Sequence, residues 1–376
     1  MTNTAVARNP VQEPLQEPLL PGVYLPGLDI LRGIAVTAVV LFHGTSANEQ
    51  LGHWTGSLAV FFKILSFGYL GVELFFVLSG FLITGILLRS KERPDYFRNF
   101  YFRRILRIAP AYLLLILVLK VSGIIDWRFV LACLLYVANM TTIVGTTLQY
   151  GPLWSLSVEE QFYIVWPLLL KRTSVRTTLW VTLALCVVCP IARLVKLWHN
   201  PYQAVEFKTY YIGDALAYGA LISVCLTMGY LQRANIRRTA ILWMAAGLAG
   251  IIGIFRYANP SVGIALHRVP FAWIFVGLVM LAVARGNREF SPSNLPARFF
   301  KFLGYISYGL YLVHDLVFHV YDKLAAGTRW QSIPGTGFES IMVKTLVGGT
   351  ISIAIAYLSR RFYEERFLNL KNRLAA

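Results

Sequence analysis

Arg32 and His43 stand eleven residues apart in the apolar run LDILRGIAVTAVVLFH (Leu28–His43). On a helix that spacing amounts to about 20° of azimuth and about 16 Å of rise, so the two share a face at different depths. Asp29, Val36 and Val39 complete the stripe. A neutral imidazole inside an apolar bundle can act as a base, and Arg forks such as those of Arg103, Arg104 and Arg107 suit phosphate. The structural alternative is a snorkelling arginine and a core histidine bonded to a carbonyl. FRRILRIAP (Phe102–Pro110) gathers Arg103, Arg104 and Arg107, with Arg107 the most deeply placed.

Other runs place further ionisable groups where they are costly and therefore candidates for function. LWSLSVEEQFYIVWP (Leu153–Pro167) opens a hydrophobic helix on two adjacent carboxylates, Glu159 and Glu160, with Ser155 and Tyr163 within one turn. LGYISYGLYLVHDLVFH (Leu303–His319) sets Ser307, Tyr311 and His314 at i, i+4 and i+7, flanked by Tyr308 and Asp315. GVELFFVLSGFLIT (Gly71–Thr84) places Glu73 on one face with Gly80, where a glycine lets another helix come close. Ser79 in that run lacks a G-x-S-x-G setting and makes a poor nucleophile. Asp214, in IGDALAYG, is a further intramembrane acid whose role stays open. Cys186-x-x-Cys189 has no histidine or further cysteine at zinc spacing, so buried small residues are expected there and no metal site.

The elements that carry these groups follow from composition. The 376 residues are 57% hydrophobic and 14% charged, with a mean hydropathy of +0.59. Soluble domains run about 45–50% apolar and about 25% charged. An ordinary soluble enzyme, a disordered chain and a secreted disulfide scaffold are excluded. Eleven apolar stretches near 30–46, 68–88, 105–124, 128–146, 153–170, 178–198, 210–229, 239–255, 269–284, 302–322 and 341–358 approach the roughly 20 residues that a bilayer requires. Lys and Arg total 35 against 18 Asp and Glu, and twenty-two of those basic residues fall in alternate gaps. That asymmetry marks the cytoplasmic loops and sets nucleic acid aside. Two inside loops, 89–104 and 171–177, bracket three apolar stretches, and only an even number of crossings fits between them. The 128–146 stretch, with its polar run Asn139, Thr141 and Thr142, is expected to be re-entrant or in-plane. The expectation is an all-α bundle of about ten crossings with both termini cytoplasmic. Residues 1–28 read as a flexible cytoplasmic lead, 29–367 as the transmembrane domain and 368–376 as a basic tail.

These runs together resemble the acyltransferase-3 family of integral membrane acyltransferases, in order and through nearly the whole chain. LDILRGIAVTAVVLFH is similar to that family's Arg-x10-His helix, GVELFFVLSGFLIT to its second-helix motif, and Arg104 and Arg107 to its Arg-x-x-Arg. LWSLSVEEQFY resembles its paired-glutamate motif, LGYISYGLYLVH its late Tyr/Ser/His motif, and SRRFYEERF (Ser359–Phe367) its closing motif, with Glu364 at the glutamate position. Two positions depart: Arg366 stands where a proline is usual, and Ile212 where an arginine is usual.

The resemblance implies transfer of an acyl group, most often acetyl, from cytoplasmic acyl-coenzyme A to a hydroxyl of a surface polysaccharide, oligosaccharide or glycolipid. Acyl-coenzyme A is then a co-substrate, no cofactor is held permanently, and the setting is a bacterial cytoplasmic membrane. Arg32, Arg104 and Arg107 would hold the donor. His43 would serve as base, with Glu159 or Glu160 orienting it or balancing its charge, and Glu73, Tyr311 and His314 would bind substrate. An acyl-enzyme through Ser79 or Tyr311 stays open. A macrolide or other small metabolite is an alternative acceptor, and a transporter or flippase is the rival class.

Overall fold

The computed structural model describes residues 24–199, 207–288, 290–291 and 293–374. Most of the predicted lead, residues 1–23, and the final two residues of the predicted tail lie outside them. Among the described residues the chain forms helices and no strand. In order these are α1 (Pro26–Gly44), α2 (Gly56–Ser66), α3 (Leu70–Ser90), α4 (Tyr96–Val121) and α5 (Trp127–Leu134). Next come α6 (Leu153–Arg172), α7 (Val175–His199), α8 (Thr209–Ile212), α9 (Asp214–Thr227) and α10 (Ile236–Tyr257). The last are α11 (Pro260–Leu266), α12 (Arg268–Arg285), α13 (Leu295–Ala325), α14 (Phe338–Leu358) and α15 (Glu365–Leu374).

Helices satisfy their own backbone groups, which lipid cannot do for them. Six helical stretches among the described residues are long and apolar enough to cross a bilayer: Pro26–Gly44, Gly56–Ser90, Val175–Trp198, Ile236–Tyr257, Pro260–Arg285 and Phe338–Leu370. α4, α6 and α13 run for 26, 20 and 31 residues. They have the length but also carry many of the charged residues singled out from the sequence. α9 has 14 residues, about 21 Å of helix. It follows a break at Gly213, so stretch 210–229 is not one continuous span. The sequence reading also missed α2, an 11-residue helix between α1 and α3.

Stretch 128–146 is no continuous helix either. α5 ends at Leu134, Tyr136 takes a positive φ of 53°, and a 3-10 turn follows at Thr141–Val144. Side chains of α6 satisfy its irregular backbone. Gln161 donates to the Tyr136 carbonyl at 2.7 Å, and Ser157 accepts from the Ala138 amide at 3.2 Å. Asp126 caps α5 by accepting from the Phe129 amide at 2.7 Å and from the Gln149 side chain at 2.7 Å. The Phe129 amide, followed by Gln149, holds the Asp126 carboxyl below its ordinary value.

Two glycine seams fix the framework. A Cβ on Gly33 would stand 1.9 Å from the Phe300 carbonyl oxygen, and one on Gly304 would stand 1.9 Å from that of Asp29. α1 and α13 therefore meet backbone to backbone, each through its own glycine. α3 and α9 repeat the arrangement, with Gly80 against the Leu216 carbonyl and Gly219 against that of Val77. α1 and α13 are also the helices that carry His43 and His314.

Candidate active site

Two cavities lie at opposite ends of α1. The first, about 250 Å³, receives Arg32 from α1, Ser79 from α3, Arg104 and Arg107 from α4, Glu159 and Tyr163 from α6, and Tyr311 from α13. Ser79 donates to Glu159 Oε1 at 2.6 Å, and Tyr163 donates to Ser79 at 3.2 Å. The Arg104 guanidinium lies 4.6 Å from the centre of the Tyr163 ring, a cation–π distance. Arg32 is paired with Asp29 at 2.8 Å. No described carboxylate lies within ion-pair distance of Arg104 or Arg107. A neighbouring cavity of about 310 Å³ shares Arg104 and Arg107 and adds Arg89, Arg93 and Arg103. Arg103 was expected beside Arg104 and Arg107, whereas Arg89 and Arg93 belong to the 89–104 loop read for topology alone. Their proximity to the Arg104–Arg107 turn was the signal that they also face the site. Together the two cavities form an arginine-lined approach to the N-terminal end of α1.

The second cavity, about 630 Å³, lies at the C-terminal end of α1, where His43 lines it with Gln149, Asp315, His319, Asp322 and Lys344. Here geometry fixes the protonation of two rings. His314 Nδ1 lies 2.8 Å from the Tyr311 carbonyl and 3.2 Å from that of Leu310. Carbonyls only accept, so Nδ1 carries the proton and His314 Nε2 is the lone-pair nitrogen. That nitrogen faces His43 Nδ1 at 3.2 Å, and His43 Nδ1 also lies 3.1 Å from the Val39 carbonyl. Both neighbours are acceptors, so His43 Nδ1 carries the proton and its Nε2 is left as the basic atom. His314 is fully buried and meets the larger cavity only through the His43 ring. Its Nδ1 proton ends on backbone carbonyls, so His314 orients His43 and passes no proton onward.

Tyr150, in the loop before α6, braces this turn of α13. Its hydroxyl donates to the Leu312 carbonyl at 2.7 Å and accepts from the Leu316 amide at 3.1 Å. An α-helix would join that carbonyl and amide directly. In the wall of the first cavity, Tyr311 bonds Ser155 at 2.6 Å. Ser155 donates to the Pro152 carbonyl at 3.1 Å, so Tyr311 is the donor in that pair.

The structure separates the two glutamates. Glu159 faces the arginines, whereas Glu160 lines none of the cavities described. Its Oε1 is buried without a hydrogen-bond partner among the described residues. Tyr112, Tyr136 and Tyr308 stand within its electrostatic reach. Neighbours in a helix sequence point about 100° apart, so one wall could hold only one of them. Glu73 likewise lines neither cavity. It is 2% exposed and bonded to Arg268 of α12. Asp214 forms a two-pronged pair with Arg193, at 3.0 and 2.7 Å. Cys186 and Cys189 are buried free thiols, and no metal-binding cluster occurs among the described residues.

The acyltransferase-domain family matches residues 25–361, a span that includes every residue of these cavities. The chain is 29% identical over 373 residues to a candidate peptidoglycan O-acetyltransferase of Bacillus subtilis strain 168, covering 91% of this chain and 54% of that protein. It is 27% identical over 327 residues to the peptidoglycan O-acetyltransferase OatA of Listeria monocytogenes serovar 1/2a, covering 77% and 49%. A candidate O-acetyltransferase of Staphylococcus aureus strain COL is 36% identical over 165 residues, covering 39% and 25%. The chain thus spans about half the length of the first two relatives and a quarter of the third. No solved structure matches it.

Proposed function

The chain belongs to the acyltransferase-3 family, and on that premise we propose that it transfers an acetyl group from cytoplasmic acetyl-coenzyme A to a hydroxyl of a cell-surface carbohydrate. Peptidoglycan, the substrate in the names of two relatives, is the first acceptor to try. In this reading the chain crosses a bacterial cytoplasmic membrane ten times with both termini inside, and the arginine-lined end of α1 faces the cytoplasm. The coenzyme's phosphates meet Arg104 and Arg107, whose forked donors suit them. Glu159 tempers the positive charge there through its bond to Ser79.

The acceptor reaches the other end of α1. His43 Nε2 takes the proton of its hydroxyl as the oxygen attacks the thioester carbonyl. The carbon–sulfur bond breaks, and the sulfur leaves as coenzyme A, which ends with the proton. The products are the O-acetyl carbohydrate and the free thiol. The observation that carries this reading is the histidine pair, whose hydrogen bonds leave the lone pair of His43 on the nitrogen not engaged by α1 or α13.

The test is acetyl transfer from labelled acetyl-coenzyme A to peptidoglycan fragments by the full chain in proteoliposomes. His43→Ala should lower turnover about 10²–10⁴-fold, the usual contribution of a positioned base, with acetyl-coenzyme A still bound. Wild-type turnover in the variant would remove His43 from the chemistry. Movement of unmodified glycan across the vesicle wall without acetylation would identify a carrier instead.

A further inference from the structure

The larger cavity presents two hydrogen-bond acceptors to which no described group donates. One is His43 Nε2, made the lone-pair atom by the carbonyls and ring around Nδ1. The other is the carboxylate of Asp315, which lines the same cavity and lies within electrostatic reach of His43. No hydrogen bond joins Asp315 to another described residue. An imidazole lone pair and a carboxylate cannot bond each other, since both only accept.

Two of the donors that line the cavity, Lys344 and Gln149, are engaged elsewhere. Lys344 is bonded to Asp322 at 2.7 Å and to Ser46 at 3.4 Å. The Gln149 amide donates to Asp126 and to Thr146. His319, one turn along α13, interacts with Asp315 electrostatically but makes no hydrogen bond to it. Unsatisfied polar groups in a partly enclosed site are costly unless something supplies the missing partner. Water can do so, and so can a substrate that displaces it.

We infer that Asp315 is an acceptor-binding, specificity-determining residue, and that the site selects a carbohydrate presenting two adjacent donors: the reacting hydroxyl at His43 and a neighbouring hydroxyl or amide N–H at Asp315. This rests on the acyltransferase reading for what happens to the first hydroxyl, but the recognition is a separate claim. The second contact holds the ring so that the first oxygen points at the base, and restricting that freedom is a large part of what a positioned site contributes. A lone alcohol would leave the carboxylate unmatched, which is how polar sites reject analogues lacking a donor.

The experiment compares cis-1,2-cyclohexanediol with its mono-O-methyl ether, which has nearly the same shape and one donor fewer. For the full chain in detergent, binding of each is read by ligand-observed NMR, and acetylation from acetyl-coenzyme A is read as kcat/KM. The wild type should favour the diol at least tenfold in both. Asp315→Leu should bring the ratio near the statistical factor of two, chiefly by raising KM for the diol. Asp315→Asn, which keeps one acceptor oxygen and the side-chain shape, should fall between them. Retained acetyl-coenzyme A binding would show that each variant is folded.

A wild-type ratio near two, or a ratio unchanged in both variants, overturns the assignment. Equal loss on both acceptors overturns it as well, because Asp315 would then serve the base and not the second donor. Acetylation of both alcohols without preference leaves the acyltransferase reading standing and this site wrong. Asp315-dependent selective binding with no acetyl transfer leaves the site standing and the acyltransferase reading wrong.

Discussion

α3 touches two groups of charged residues that are neutralised in different ways. On one side Glu73 is bonded to Arg268, and Asp214 is held by both prongs of Arg193. Each acid has its base, and Arg193 and Asp214 are 0% and 2% exposed. Arg193 also donates to the Ala265 carbonyl at 2.7 Å. On the other side Ser79 reaches Glu159, which shares its cavity with Arg32, Arg104 and Arg107. Here positive charge is in surplus, and Glu159 spends its strongest bond on a hydroxyl. Both groups are ionisable residues inside an apolar bundle. Balanced pairs join helices, whereas the uncompensated excess is what the proposed binding of an anionic donor requires.

The comparison can be broken most sharply at Arg193. Arg193→Leu leaves Asp214 buried and unpaired, and that should cost about 3–5 kcal/mol. Thermal unfolding in detergent would read it, and Arg193→Leu combined with Asp214→Leu should recover most of the loss. A single variant as stable as wild type would mean that the pair is no strut.

Arg107→Leu should behave in the opposite way. It removes charge from a site already in surplus, so stability should hold or rise. Acetyl-coenzyme A affinity should fall about 10- to 100-fold, the range of about 1.5–3 kcal/mol for a charged hydrogen bond. Calorimetric titration measures this, and unchanged affinity would separate the surplus from donor binding. The smallest effect belongs to a pair of the same chemistry near water. Arg361 and Glu365 lie 3.3 Å apart one turn along the C-terminal helical stretch, with side chains 60% and 28% exposed. Arg361→Ala should cost about 0.3–0.5 kcal/mol in the same unfolding assay. A cost of several kcal/mol would show that exposure does not separate the two kinds of pair.

Local features were legible in the sequence, and non-local ones were not. The stripe of Asp29, Arg32 and His43 is set by helical period, and the Asp29–Arg32 pair is three residues long in sequence. The break within 128–146 was signalled by its polar run and by the parity of basic loops. Gly80 was read as a point of close approach, and α9 lies against it. By contrast, Glu73 was placed among substrate-binding residues because nothing nearby could reveal Arg268, 195 residues away. The same limit hid which of Glu159 and Glu160 faces the arginines, since that depends on how α6 is rotated against α3 and α4. It also hid Asp315, which looked like a flanking residue until His43 was seen beside it in the larger cavity. α2 escaped notice because 11 residues fall short of any spanning window.

The seam between α1 and α13 bears on the order in which the molecule is assembled. α1 is synthesised first among the described helices, but its backbone partner and the ring that orients its histidine come much later, with 271 residues separating His43 from His314. Throughout that interval Gly33 has no Phe300 to meet, while the local pair of Arg32 with Asp29 can already form. Contacts of such sequence separation close late in folding. A nascent chain halted before Leu295 would therefore possess the arginine cavity's α3, α4 and α6 walls but lack both its Tyr311 wall and the ring that faces His43.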